Sequence, residues 1–284
     1  MKLTDINIRD PFVLLDNGKY YMYGTRGAEC WGRGTGFDVY ESEDLENWSE
    51  PICVFAKTDS FWADRNFWAP EVHKYNGAYY MFASFKSETK CRGVQILKAD
   101  SPLGPFAIHS DGPVTPIDWE CLDGTLYVEN GKPYMIFCHE WKQVTDGEMC
   151  VAELSEDLTK MVSEPKLMFR ASQPSFSKAI NDKGAYVTDG PYMYKTESGR
   201  LIMIWSSFSD GGYCEALAYS KDGSVLGEWE HDDRTLFEKD GGHGMIFRDK
   251  AGKIRFILHK PNTSTLERPN LFELCEAEDS LFVK

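Results

Sequence analysis

The chain lacks any apolar run near the roughly 20 residues that span a bilayer, so no membrane partner is expected. Its opening, KLTDINIRDPF after Met1, has no apolar signal core and no small-residue cleavage site, and a cytoplasmic location is expected. Runs of Lys or Arg are missing. With 31 Lys+Arg against 45 Asp+Glu, a formal net charge of −14, the basic face of a nucleic-acid binder is absent. The eight cysteines are scattered with no C-x-x-C pair. That spacing argues against zinc, and in so large a chain it suggests reduced thiols, several of them small core residues. No Pro/Ser-rich linker interrupts the pattern, so residues 1–284 are expected to form one domain.

What the chain does have is repetition. DPFVLLDNGKYYMYGTR from Asp10 reads as an extended run, a turn and a second extended run. The pattern returns as APEVHKYNGAYYMFASF from Ala69, DGTLYVENGKPYMIFCHEW from Asp123, DGPYMYKTESGRLIMIWSSF from Asp189 and GHGMIFRDKAGKIRFILHKPN from Gly242. The starts lie roughly 55 to 65 residues apart, the range of a propeller blade with generous loops. FDVYES, GVQILKADS, MCVAELSED and EALAYSKDG supply a third strand-like run after the first four copies, each followed by a fourth. Four strands per repeat predict an all-β, five-bladed β-propeller with four antiparallel strands per blade.

A propeller turns this periodicity into a site. The first strand of each blade lines the central channel, so the five strand heads meet at one mouth. Asp10, Trp68–Ala69, Asp123, Asp189 and Gly242–His243 stand there. Taken singly, each acid reads as a turn residue. Together they suit glycoside hydrolysis, which needs one carboxyl to protonate the leaving oxygen and another to activate water or attack the sugar. A third acid nearby would raise its neighbour's pKa by like-charge repulsion. His243, flanked by glycines, could be a hydrogen-bonded channel residue or could face an axial calcium, although calcium prefers oxygen ligands. No cofactor is required for the chemistry. Trp31, Trp62 and Trp68 sit in or beside loops and could stack on a sugar face, while Arg9 and Arg268 could clamp hydroxyls.

RDPF at 9–12, WAPEV at 68–72, LDGTLYVENGKPYM at 122–135, TDGPYMYK at 188–195 and GHGMIF at 242–247 together resemble glycoside hydrolase family forty-three, over nearly the whole chain. That resemblance implies a single displacement with inversion, with Asp10 as general base and Asp123 as the residue that tunes pKa and orients substrate. It implies an axial histidine at His243, near calcium or clustered water. The implied substrates are small oligosaccharides or aryl glycosides, cut at α-L-arabinofuranosyl, β-D-xylosyl or β-galactofuranosyl ends, with exo action expected. The chain departs from the family at the general acid, where Glu-Gly-Pro is replaced by Asp189-Gly190-Pro191. Aspartate is shorter by about 1.5 Å, one carbon–carbon bond. Either Asp189 still reaches, or Glu140 at the end of the third repeat's second strand replaces it, or the site is inactive. The alternative functions are a non-catalytic sugar-binding propeller and a glycoside phosphorylase.

Overall fold

A computed structural model describes all 284 residues. Five four-stranded antiparallel sheets follow one another along the chain. Blade 1 holds β1 (Ile8–Asp16), β2 (Lys19–Arg26), β3 (Gly36–Ser42) and β4 (Ile52–Ala56). Blade 2 holds β5 (Arg65–Tyr75), β6 (Ala78–Lys86), β7 (Gly93–Ala99) and the two-residue β8 (Ala107–Ile108). Blade 3 comprises β9 (Cys121–Glu129), β10 (Lys132–His139), β11 (Glu148–Glu153) and β12 (Lys166–Arg170). Blade 4 comprises β13 (Asp189–Lys195), β14 (Leu201–Ser209), β15 (Gly212–Ser220) and β16 (Trp229–Phe237). Blade 5 is β17 (Gly242–Arg248), β18 (Ile254–Lys260), β19 (Arg268–Ala277) and β20 (Ser280–Val283). The five-bladed propeller expected from the repeats is therefore the fold. No helix is long and apolar enough to cross a membrane.

Local chemistry sets each hairpin. Asn17–Gly18, Asn76–Gly77 and Asn130–Gly131 all have positive φ at both residues (48° and 74°, 46° and 82°, 52° and 80°). This is the turn whose twist matches paired strands, and Asn–Gly tolerates it best. Between blades, apolar faces interlock. Phe37, Phe55, Phe61, Phe67 and Phe85 form an edge-to-face cluster joining blades 1 and 2, with Phe67 and Phe85 centroids 4.8 Å apart. Each such ring, fully buried, stabilises the fold by roughly 1.5–3 kcal/mol.

One detail repeats in every blade and positions the site. Arg9, Trp68, Leu122, Asp189 and Gly242 near the head of each first strand pair with Thr25, Ser84, Cys138, Ser206 and His259 on the second. The next residue is left-handed in all five blades: Asp10 (φ 53°), Ala69 (46°), Asp123 (56°), Gly190 (48°) and His243 (49°). In four of the five blades its amide turns toward the preceding blade, where the second-strand side chain accepts it. Ala69 N–H donates to Thr25 Oγ1 (2.8 Å), Asp123 to Ser84 Oγ (2.9 Å) and His243 to Ser206 Oγ (2.6 Å). Asp10 N–H donates to His259 Nδ1 (3.3 Å), so the same clasp closes blade 5 onto blade 1. All strands of blade 5 come from the C-terminal part of the chain, so side chains carry the closure. Arg9 pairs with Glu267 (2.9 Å), Asn7 Nδ2 donates to the Glu267 carbonyl (2.9 Å) and Arg268 Nε donates to the Thr4 carbonyl (2.9 Å).

Candidate active site

The clasped strand heads surround a cavity of about 350 Å³ at one mouth of the axis. Asp10, Asp123, Asp189, His243 and Glu140 all line it, with Arg9, Trp31 and Trp68. Asp10 and Asp123 occupy equivalent positions. Asp189 does not, because it stands one residue ahead of its blade's left-handed position, which belongs to Gly190. Aligning the copies on proline, as Asp10-Pro11, Ala69-Pro70 and Gly190-Pro191, would have shown this offset. Gly190 is needed there for space as well as for its φ of 48°: a Cβ would sit 2.6 Å from the His243 ring.

The carboxyl groups are held in opposite protonation states. Asp10 is fully buried, which alone would raise its pKa. The charges of His243 and Arg9 and the Thr25 hydroxyl outweigh burial and hold it below the usual 3.8. Thr25 Oγ1 donates to Asp10 Oδ2 at 2.6 Å, and His243 Nδ1 lies 3.2 Å from Asp10 Oδ1. Asp123 is pushed well above the usual range, first by burial and then by the charge of Asp10, despite the Gly190 N–H that donates to its Oδ2 (3.0 Å). Burial and then the charge of Asp123 raise Asp189 to about 7, and Tyr213 Oη donates to its Oδ2 at 3.0 Å. One cavity thus contains an ionised acceptor and a carboxyl poised to give up a proton near neutral pH.

Glu140 reaches the cavity wall, but both its oxygens face cations: Arg92 on one and Lys142 (3.1 Å) on the other. Arg92 in turn stands over Trp68, with Cζ 4.1 Å from the ring centroid. This is an anchoring arrangement for the wall. Trp31 stands at the rim with 59% of its surface exposed, edge-on to Trp68 and under Arg9.

Two expected binding residues lie elsewhere. Trp62 packs on the phenylalanine cluster and donates Nε1 to Gln95 Oε1 (2.6 Å), because the Asp59–Phe67 segment folds back onto blade 2. Arg268 is used in closing blade 5 onto the N-terminal segment. Sequence reading missed Tyr213, Asn262 and Phe208, which also line the cavity. Tyr213 lies on the third strand of blade 4, where nothing in the repeat pattern marks a residue that reaches the axis.

The donor set does not fit a directly ligated calcium. His243 Nδ1 is turned to Asp10 and Asp123 (3.6 Å to Asp123 Oδ2), and no three His, Cys, Asp or Glu side chains converge as a metal cage.

The glycosyl hydrolases family 43 model matches residues 4–278. The chain belongs to that family. This family 43 chain is similar in structure to an endo-arabinase from Bacteroides thetaiotaomicron, with a TM-score of 0.91, 37% identity and 98% of each chain covered. It is also similar to a thermostable family-43 glycoside hydrolase, with a TM-score of 0.86, 25% identity and coverage of 98% and 93%. Among curated relatives, the extracellular exo-alpha-(1->5)-L-arabinofuranosidase ArbA of Cellvibrio japonicus is 22% identical, over 67% of this family 43 chain and 56% of that protein. The extracellular endo-alpha-(1->5)-L-arabinanase 1 of Bacillus subtilis is 24% identical, over 82% of the chain and 71% of that protein. The match to the first of these relatives thus spans little more than half of its length.

Proposed function

We propose that the protein is an inverting glycoside hydrolase that removes α-L-arabinofuranosyl or β-D-xylosyl ends from small plant-type oligosaccharides. The observation that carries this reading is the opposed protonation of two carboxyls in one cavity, Asp10 below its ordinary range and Asp189 raised to about 7. Asp10 takes a proton from a water beside the anomeric carbon. That water forms the new C–O bond from the face opposite the leaving group as the glycosidic C–O bond breaks. Asp189 gives its proton to the departing oxygen, so charge balances across the step. Burial, more than the neighbouring Asp123, keeps Asp189 protonated. Tyr213 holds the shortened acid in place.

Exo action is favoured by the cavity, which lies at the small end of ligand pockets. Trp31, Trp68, Ile180 and Phe208 are among the residues that wall it. A phosphorylase needs free cations for phosphate. Here Arg9 is already paired with Glu267 and Lys142 with Glu140. A binding module needs no proton donor opposite an ionised acceptor.

A panel of aryl furanosides and pyranosides, with Asp10→Asn as control, tests the reading. Turnover by the wild type, lost in the variant and giving the inverted anomer by NMR, is the expected result. Tight binding of several glycosides without turnover would end it. Release of monosaccharide from linear arabino-oligosaccharides indicates exo action, and release of mixed oligomers indicates endo action.

A further inference from the structure

The ring of inter-blade clasps has one gap, and the gap falls beside the acid. In four joints the left-handed residue's amide meets an acceptor on the second strand of the preceding blade: Thr25, Ser84, Ser206 or His259. At the joint between blades 3 and 4 that position is Cys138, paired with Leu122 as the other four pair with their partners. A thiol is a weak acceptor. The amide concerned, Gly190 N–H, goes to Asp123 Oδ2 instead, at 3.0 Å. Cys138 is fully buried, its thiol beside the Thr188 hydroxyl and close to both Asp123 and Asp189. The proposed chemistry gives this thiol no part, and its burial keeps it from acting as a nucleophile.

We propose that Cys138 is a positioning residue: by leaving its clasp without a competent acceptor, it reserves the Gly190 amide for Asp123 and so ties the tuning carboxyl to the strand that carries Asp189. A hydroxyl at 138 would restore the pattern of the other blades and take that amide away. The inference deepens the hydrolase reading and rests on it for its kinetic consequence only.

The direction of the effect follows from the groups around the pair. Asp123 faces Asp10, Glu71, Arg92, His243 and the Gly190 amide. Asp189 faces Asp123, His243, Arg9 and Tyr213. Of these, the Gly190 amide favours the charged form of Asp123 and is the one that position 138 can redirect. A serine at 138 takes that amide and, as Thr25 does toward Asp10, donates its hydroxyl to Asp123 instead, so the tether of Asp123 to the strand of Asp189 is lost while Asp123 keeps a donor.

The test compares Cys138→Ser with Cys138→Ala, since alanine removes the thiol but adds no acceptor. Carboxyl ¹³C NMR of Asp123 and the amide shift of Gly190 are followed with pH, beside the pH–rate profile on an aryl glycoside. In Cys138→Ser, the Gly190 amide should shift and no longer follow the Asp123 titration, which it should follow in the wild type. The maximal kcat should drop severalfold with KM little changed. Cys138→Ala should keep the wild-type titration. Identical behaviour of the two variants, or a Gly190 amide that still follows the Asp123 titration in Cys138→Ser, overturns the inference. If the Gly190 amide behaves as described while no variant, nor the wild type, hydrolyses any glycoside, the positioning stands and the hydrolase reading falls.

Discussion

The Asp10 amide, on the first strand of the ring, donates to Nδ1 of His259 on the last blade, 3.3 Å away. An imidazole accepts at Nδ1 only when that nitrogen carries no proton. Burial, and then the charge of Arg9, hold His259 down to about 3, and its Nε2 faces Asn262 Oδ1 at 3.4 Å. The bond that closes the propeller therefore also fixes the backbone of the candidate base. His259→Phe should keep the stacking against Tyr213 (centroids 5.6 Å) while losing the acceptor. A stability loss on the order of 1–3 kcal/mol is expected by denaturant melts, together with a lower kcat.

The pH–rate profile should be broad on the acid side and fall as pH rises through about 7, where Asp189 loses its proton. The acid limb should lie below 3.8, set by Asp10. The Tyr213 hydrogen bond lowers Asp189, so Tyr213→Phe should move the alkaline limb upward. It should also cost kcat on the order of tenfold, because the short acid is no longer held. An unmoved limb in this variant would remove Tyr213 from the site's chemistry.

Leaving-group dependence separates the two candidate acids. Asp189→Asn should lower kcat about 10²–10⁴-fold on oligosaccharides and far less on aryl glycosides whose phenol leaves without a proton. Glu140→Gln should instead leave buried Arg92 uncompensated, costing about 3–5 kcal/mol in stability with no such dependence. The opposite pattern would make Glu140 the acid.

Glu215 is fully buried behind His243, accepting from Gly244 N–H and Ser206 Oγ (2.9 Å each), and burial first raises it from 4.5 to about 8. The folded protein keeps a proton that the unfolded chain releases above about 4.5. Its contribution is therefore complete below 4.5 and is lost as pH rises through about 8. Glu215→Gln cannot ionise, so its drop in Tm between pH 5 and pH 9 should be smaller than that of the wild type.

Trp31, with 59% of its surface exposed, adds little to the core. Trp31→Ala should change stability by less than about 0.5 kcal/mol. If the indole carries a sugar face, KM should rise severalfold at unchanged Tm.

The fold was legible because a propeller writes its symmetry into the chain. Asn17–Gly18, Asn76–Gly77 and Asn130–Gly131 adopt the left-handed turn that their residue types favour, and alternating strands flank them. These are local demands, met within a few residues of sequence. The same locality made Asp10, Asp123 and Asp189 visible as strand heads, and the cavity does gather them.

What the sequence determined by itself is the set of five blades and the chemical types gathered at their heads, since short-range turn and strand preferences fix both. Only the tertiary structure decided that Tyr213 bonds to Asp189 and that Trp62 and Arg268 turn away. Those outcomes depend on packing between blades far apart in the chain. There, a single side chain such as Cys138 or His259 settles which backbone donor meets which acceptor.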